Sequence, residues 1–137
     1  MIHILIVDDE PLIRKSIHLM LENHYSGQNL QIAEASDGFK ALEYTASVET
    51  DIILTDIKMP GCSGLELMER LNELEYNGKI IVLSGFDDYS LVRNAMKLGA
   101  TDYLLKPIVE EEFLSLMDNS FREILHRKSY LTRHQDE

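Results

Sequence analysis

Asp51-Ile52-Ile53-Leu54-Thr55-Asp56 runs directly into Ile57-Lys58-Met59-Pro60-Gly61. Apolar residues in unbroken succession, ending in a carboxylate and then turn formers, read as a strand buried on both faces with Asp56 at its C-terminal end. In an open α/β sheet the crevice beyond the carboxyl ends of the strands is where chemistry sits. An Asp there faces a pocket. Taken alone, a strand-end Asp reads equally well as a turn former; three other segments decide between the two.

Upstream, His3-Ile4-Leu5-Ile6-Val7 is a short apolar strand ending in Asp8-Asp9-Glu10. Pro11 favours a helix start, and Leu12, Ile13, Ile17, Leu19, Met20 and Leu21 give that helix an apolar stripe to about His24. Leu30 to Ala35 alternates, as expected of an edge strand. Ser36-Asp37-Gly38 turns the chain into a second helix carrying Phe39, Ala41, Leu42 and Ala46. Downstream of Gly61, Leu65, Leu67, Met68, Leu71 and Leu74 mark a third helix closed near Asn77-Gly78. Lys79 to Leu83 is a buried strand ending at Ser84-Gly85. Asp87 or Asp88 can cap a fourth helix with Leu91, Val92, Ala95, Met96 and Leu98, stopped by Gly99. Thr101 to Leu105 is a fifth strand, also read as buried, ending at Lys106-Pro107. A last helix begins between Val109 and Glu112, with acids at its positive end, and continues through Phe113, Leu116, Met117, Phe121, Ile124 and Leu125. Residues 126–137 are polar and read as the helix end or the start of a linker.

Five strand–helix alternations with short connections predict an α/β, doubly wound parallel sheet with right-handed crossovers. The chain of 137 residues suits one domain, and its 45% hydrophobic and 27% charged residues are ordinary for a globular protein. A net charge of -11, from 24 acidic and 13 basic residues, argues against direct nucleic-acid contact, which needs a basic face, and favours a cation as small partner. The single cysteine, Cys62, permits no internal disulfide and reads as a reduced loop thiol. No apolar run approaches the ~20 residues that span a bilayer. Met1-Ile2-His3-Ile4 lacks the features of a secretion signal, so a cytoplasmic location is expected. The five histidines show no metal-ligand spacing.

Parallel strands bring their C-terminal ends to one edge. Asp8-Asp9, Asp56, Ser84 and Lys106 therefore converge: three carboxylates, a hydroxyl and an ammonium. Crowded carboxylates repel, and a hard divalent cation such as Mg²⁺ with its oxygen ligands relieves them. A carboxylate beside that cation can attack phosphorus to give an aspartyl phosphate, with the lysine neutralising the phosphoryl oxygens and Ser84 donating to one of them.

These residues, Asp8-Asp9, Asp56 within Thr55-Asp56-Ile57-Lys58-Met59-Pro60-Gly61, Ser84 and Lys106-Pro107, resemble the receiver domain of two-component response regulators over residues 1–125. The phrases Ser84-Gly85-Phe86-Asp87-Asp88-Tyr89, Lys97-Leu98-Gly99-Ala100 and Asp102-Tyr103-Leu104-Leu105-Lys106-Pro107 resemble the receivers of AraC-type DNA-binding regulators. The resemblance implies a flavodoxin-like five-stranded sheet of order 2-1-3-4-5 with helices on both faces. It implies Asp56 as phosphoacceptor, and Mg²⁺ held by Asp9, by Asp8 mainly through water, by Asp56 and by the backbone carbonyl of Lys58. Ser84 and Lys106 would hold phosphoryl oxygens, a cis peptide would precede Pro107, and Tyr103 would be the aromatic that follows the state of Ser84. A sensor histidine kinase is the implied donor. Phosphorylation would switch a partner surface, including one for a second copy, and so control transcription through an attached effector domain. Glu10 lies within the acidic cluster and reads as a first-turn helix residue, with a metal role as the lesser alternative; the Lys58 side chain reads as solvated, and Met59 and Met96 as packing. Two other readings are a phosphohydrolase with an Asp nucleophile, whose second Asp is replaced here by Lys58, and a module that binds partners without phosphorylation.

Overall fold

Unbroken apolar runs build the centre of the sheet. In the computed structural model, which describes residues 1–85 and 87–135, five parallel strands are ordered β2-β1-β3-β4-β5. They are β1 (Ile2–Val7), β2 (Leu30–Ala35), β3 (Ile52–Asp56), β4 (Lys79–Ser84) and β5 (Asp102–Leu105). Between them run α1 (Pro11–His24), α2 (Gly38–Ser47), α3 (Gly64–Glu73) and α4 (Tyr89–Lys97), and α5 (Glu110–Gln135) follows. Phe86, within one of the phrases quoted above, and residues 136–137 lie outside the described residues. Residues 1–107 and 108–137 form two units.

In the first unit, successive strand residues face opposite ways. Leu5, Val7, Ile53, Ile80 and Val82 share one buried cluster with Ala41 of α2, Leu67, Met68 and Leu71 of α3, and Ala95 of α4. The intervening Ile4, Ile6, Ile52, Leu54, Ile81 and Leu83 are also fully or almost fully buried, as are Ile17 and Leu21 of α1. β3 is buried along its whole length, as its unbroken apolar run requires. β2 is an edge strand with a mixed burial pattern, as its alternation predicts.

Several expectations need correction. β5 is not a buried strand: Tyr103 and Leu105 are 44% and 45% exposed, and only Leu104 is buried, because β5 has a partner on one side alone. In α1, Leu12 and Leu19 are exposed; Ile17 and Leu21 occupy the buried stripe, and a 3.6-residue period carries the other two off it. Phe39 is likewise exposed. α3 ends at Glu73 rather than near Asn77-Gly78, because Glu75 takes a left-handed conformation, φ 59°, that stops the helix. Gly99, at φ 102°, ends α4 as expected. Cys62 is free and fully buried, packed so closely on Gly38 that a Cβ there would strike its sulfur; burial pushes its thiol pKa up.

The second unit is α5. Three glutamates occupy its first turn, at the positive end of the helix dipole. Phe113, Met117, Phe121 and Ile124 form its buried stripe. The helix extends to Gln135, beyond the point where polar composition begins.

Candidate functional site

Register assembles the site. Val7 pairs with Thr55, so Asp8 and Asp56, one residue on, leave adjacent strands side by side. Asp56 pairs with Leu83 and Ser84 with Leu105, which brings the β4 hydroxyl and Lys106 to the same edge. Backbone bonds carry this register past the strand ends: Asp8 N donates to Ala35 O at 3.1 Å, Ile57 N to Leu83 O at 3.3 Å and Lys106 N to Ser84 O at 2.8 Å. The Lys106–Pro107 peptide is cis, as expected.

Lys106 is the electrostatic centre. Its Nζ lies 2.9 Å from Asp8 Oδ2, 3.1 Å from Asp56 Oδ2 and 3.9 Å from Glu10 Oε1. The side chain of Asp8 is fully buried, and those of Asp56 and Lys106 are only 9% and 18% exposed, so this triad is poorly screened by water. The other carboxylate oxygens are held by backbone: Glu10 N donates to Asp8 Oδ1 and Ile57 N to Asp56 Oδ1, each at 2.9 Å. Burial and the charge of Asp8 push the Asp56 carboxyl above its ordinary range, against the opposing pull of Lys106. Burial works to lower the Lys106 pKa, but its hydrogen bond to Asp8 and the charge of Asp56 outweigh it and hold the ammonium above its usual value.

Gly64, at the start of α3, closes the site from behind. A Cβ there would run into the carbonyl oxygen of Asp56, and Gly64 N donates to Ile57 O at 2.8 Å, so glycine permits this close approach. The Ser84 hydroxyl is fully buried and has no hydrogen-bond partner among the described residues. A buried orphan hydroxyl is costly unless a ligand or water completes it.

Asp8, Asp9 and Glu10 present carboxylate oxygens all within 4.8 Å of one another, with Asp8 buried and the other two exposed. Such a hard, anionic oxygen set suits a divalent cation. Glu10, read from sequence as a first-turn residue, is instead the N-cap residue of α1 and makes no side-chain capping bond; it belongs to this acid group, with Oε1 3.9 Å from Lys106 Nζ. Asp56 stands outside that group and is joined to Asp8 through the shared ammonium.

The Lys58 side chain and the Asp88 cap differ from expectation. The Lys58 side chain is 62% exposed yet not merely solvated, for its Nζ lies 2.7 Å from Asp88 Oδ1. That bond raises the Lys58 pKa and lowers that of Asp88. Asp88 occupies the N-cap position of α4 but makes no side-chain capping bond, because its carboxylate is turned to Lys58 and to Gly85 N. Tyr103 lies apart from the triad, on the wall of a groove of about 380 Å³ that it shares with Tyr89, Val92, Met96 and Leu105. Met96 is therefore partly exposed on that wall, whereas Met59 is buried as packing.

The chain is similar in sequence and fold to known proteins. The family model described as the response regulator receiver domain matches residues 4–118. The transcriptional regulatory protein YesN of Bacillus subtilis is 35% identical over 132 residues, covering 93% of this chain and 36% of YesN. The nitrate/nitrite response regulator protein NarL of Escherichia coli K12 is 34% identical over 114 residues, covering 83% of this chain and 52% of NarL. The chain thus spans about a third to a half of the length of these relatives. Among solved structures, the REC domain of AraT, a response regulator from Geobacillus stearothermophilus, superposes with a TM-score of 0.83 at 31% identity, covering 92% of this chain and 97% of that one. A response regulator receiver domain protein from Clostridium thermocellum gives 0.79 at 28% identity, with 96% and 99% covered. By its fold and by the match over residues 4–118, the chain belongs to the response regulator receiver domain family of two-component signalling.

Proposed function

We propose that the chain is a phosphorylation-activated switch whose acceptor is Asp56. The observation that carries this reading is one ammonium, Lys106, shared by two buried carboxylates at the sheet edge that also holds a buried hydroxyl with no partner among the described residues. Such an edge is short of cations and has a donor to spare, which is what an incoming phosphoryl group on a carboxylate would use.

Asp8, Asp9, Asp56 and the backbone carbonyl of Lys58 would hold Mg²⁺; the fit rests on Asp8 and Asp9 within the clustered carboxylate oxygens and on Asp56 sharing the Lys106 ammonium with Asp8. When bound, the cation would offset the charge of the carboxylates and of the phosphoryl oxygens. A carboxylate oxygen of Asp56 attacks phosphorus, the bond from phosphorus to the donor's imidazole nitrogen breaks, and the electron pair leaves with the imidazole. Lys106 keeps its hold on the edge and neutralises one phosphoryl oxygen. Ser84 donates its hydroxyl to another. The donor is a histidine kinase, and the chain turns over no external substrate beyond its own phosphorylation and its loss.

Tyr103 supplies the readout. Its ring is exposed on the groove wall, and a shift of Ser84 toward the phosphoryl group would open space for it to turn inward. The changed surface would favour a partner, including a second copy of the chain. Residues 1–125 act as the receiver, and 126–137 as helix end or connection. In the full-length protein the output would be transcriptional, through an effector domain of AraC type; this rests on the Ser84–Tyr89 and Asp102–Pro107 phrases and on relatives described as transcriptional regulators. The chain itself, at net charge -11, would make no nucleic-acid contact. Among the described residues no helix is long and apolar enough to cross a membrane, and a cytoplasmic site of action is proposed with the kinase partner.

The test is labelling by a small-molecule phosphodonor with Mg²⁺. Wild type incorporates label, chelation abolishes it, and Asp56→Asn takes up none. Undiminished labelling of Asp56→Asn refutes the assignment.

A further inference from the structure

Asp88 is placed where an aspartate normally caps a helix, yet it does not cap. A side-chain oxygen at the N-cap ordinarily accepts from the second or third N–H of the helix. Here Oδ2 accepts from Gly85 N at 2.8 Å and Oδ1 meets Lys58 Nζ at 2.7 Å. The backbone at Asp88, φ -91° and ψ 30°, also departs from the extended conformation of Asp37 and Ser63, which do cap α2 and α3. The Asp88 side chain is 6% exposed and that of Lys58 62%, so a long surface cation has been fixed on a buried anion. One carboxylate therefore has two competing sets of donors: Lys58 with Gly85, or the first-turn N–H groups of α4, which no carbonyl of the helix itself takes.

We infer that Asp88 is a positioning residue that exchanges Lys58 and Gly85 for the first-turn N–H groups of α4 when Asp56 becomes phosphorylated. The trigger rests on the reading of Asp56 as acceptor. The acyl phosphate carries roughly 1.5–2 negative charges where the Asp56 carboxylate carried one, so it adds up to about one, two residues from Lys58, giving an exposed ammonium a stronger anion than Asp88. A buried carboxylate deprived of its cation must find other donors, and the first turn of α4 offers N–H groups that no carbonyl of the helix itself can take, at the positive end of its dipole. Two consequences follow. Gly85 N, adjacent to Ser84, loses its acceptor as the hydroxyl is drawn toward phosphorus. α4 gains a cap, and its residues Tyr89, Val92 and Met96 line the groove that also holds Tyr103.

The experiment follows the Ser90 and Leu91 amides by NMR and hydrogen exchange. Without phosphodonor, Lys58→Met should move both amides in the direction seen for phosphorylated wild type and slow their exchange by about fivefold, the usual strength of a cap. Asp88→Ala should still take up the phosphoryl group, but its Ser90 and Leu91 amides should then fail to respond. Unchanged amides in Lys58→Met, together with a wild-type response in phosphorylated Asp88→Ala, overturn the exchange. If wild type takes up no phosphoryl group, the acceptor reading and the trigger fall together. The Lys58→Met comparison, made on unphosphorylated protein at an exposed side chain, still decides whether Lys58 restrains Asp88.

Discussion

Replacing Lys106 with Met removes the charge while keeping most of the stem. Its Nζ lies 2.9 Å from Asp8 Oδ2 and 3.1 Å from Asp56 Oδ2, with 18% of the side chain exposed. At an effective dielectric near 20, one such contact at about 3 Å is worth roughly 5 kcal/mol before desolvation. Removing one partner of a buried ion pair costs about 3–5 kcal/mol, since the stranded charge keeps its burial penalty. Proton uptake by Asp56 relieves part of this, so a loss of about 3 kcal/mol is expected at neutral pH, seen as a fall in Tm of roughly 10 °C. The pH dependence separates this from a packing defect. The pKa of Asp56 is already raised in the fold and Lys106 opposes that rise. A raised carboxyl contributes stability below its unfolded value and loses it as pH climbs through the folded value. Without Lys106 the loss is larger, so the deficit of Lys106→Met should be small in acid and grow toward neutral pH. Urea unfolding across that range, without divalent cation and with an unchanged m-value, is the assay. A deficit independent of pH, or none, refutes the electrostatic reasoning.

Asp56→Asn should stabilise the metal-free protein at neutral pH by on the order of 1 kcal/mol, a gain that vanishes in acid where Asp56 itself is neutral; thermal melts against pH read it. Mg²⁺ at a hundredfold excess over its Kd should add about 2.7 kcal/mol to wild-type stability, and Asp9→Asn, altering an exposed ligand, should remove most of that gain without changing the metal-free Tm. Gly64→Ala should destabilise by about 2–3 kcal/mol through overpacking against the Asp56 carbonyl and slow phosphoryl uptake, measured by denaturation and labelling.

The residues at the strand ends were readable in the chain because two signals coincide there. A run of β-branched and apolar residues marks a buried strand, and the first polar residue after it marks the edge. Asp8, Asp56, Ser84 and Lys106 each stand at such a junction, and parallel pairing does the rest. β5 shows the limit of that signal: Tyr103 and Leu105 are apolar in composition, but a terminal strand leaves them exposed. Leu12 and Leu19 show another, since composition places them in a helix but only the angular period sets the face. The Lys58–Asp88 bond had no sequence signature. The two residues are far apart in the chain, and Asp88 carries the ordinary mark of a cap. Glu75 in the left-handed region is equally unmarked, as glycine is the residue expected there. The place of Glu10 in the acid group depends on a side-chain position that local pattern does not encode.

The most direct measurement is to locate the modified residue. Wild-type protein treated with a small-molecule phosphodonor and Mg²⁺ is reduced with borohydride, which converts an acyl phosphate to an alcohol, and its peptides are sequenced by mass spectrometry. Homoserine at position 56, absent when donor or Mg²⁺ is withheld, is the expected result. Homoserine at position 8 or 9, or stable phosphate on a histidine or serine with Asp56 intact, would contradict it.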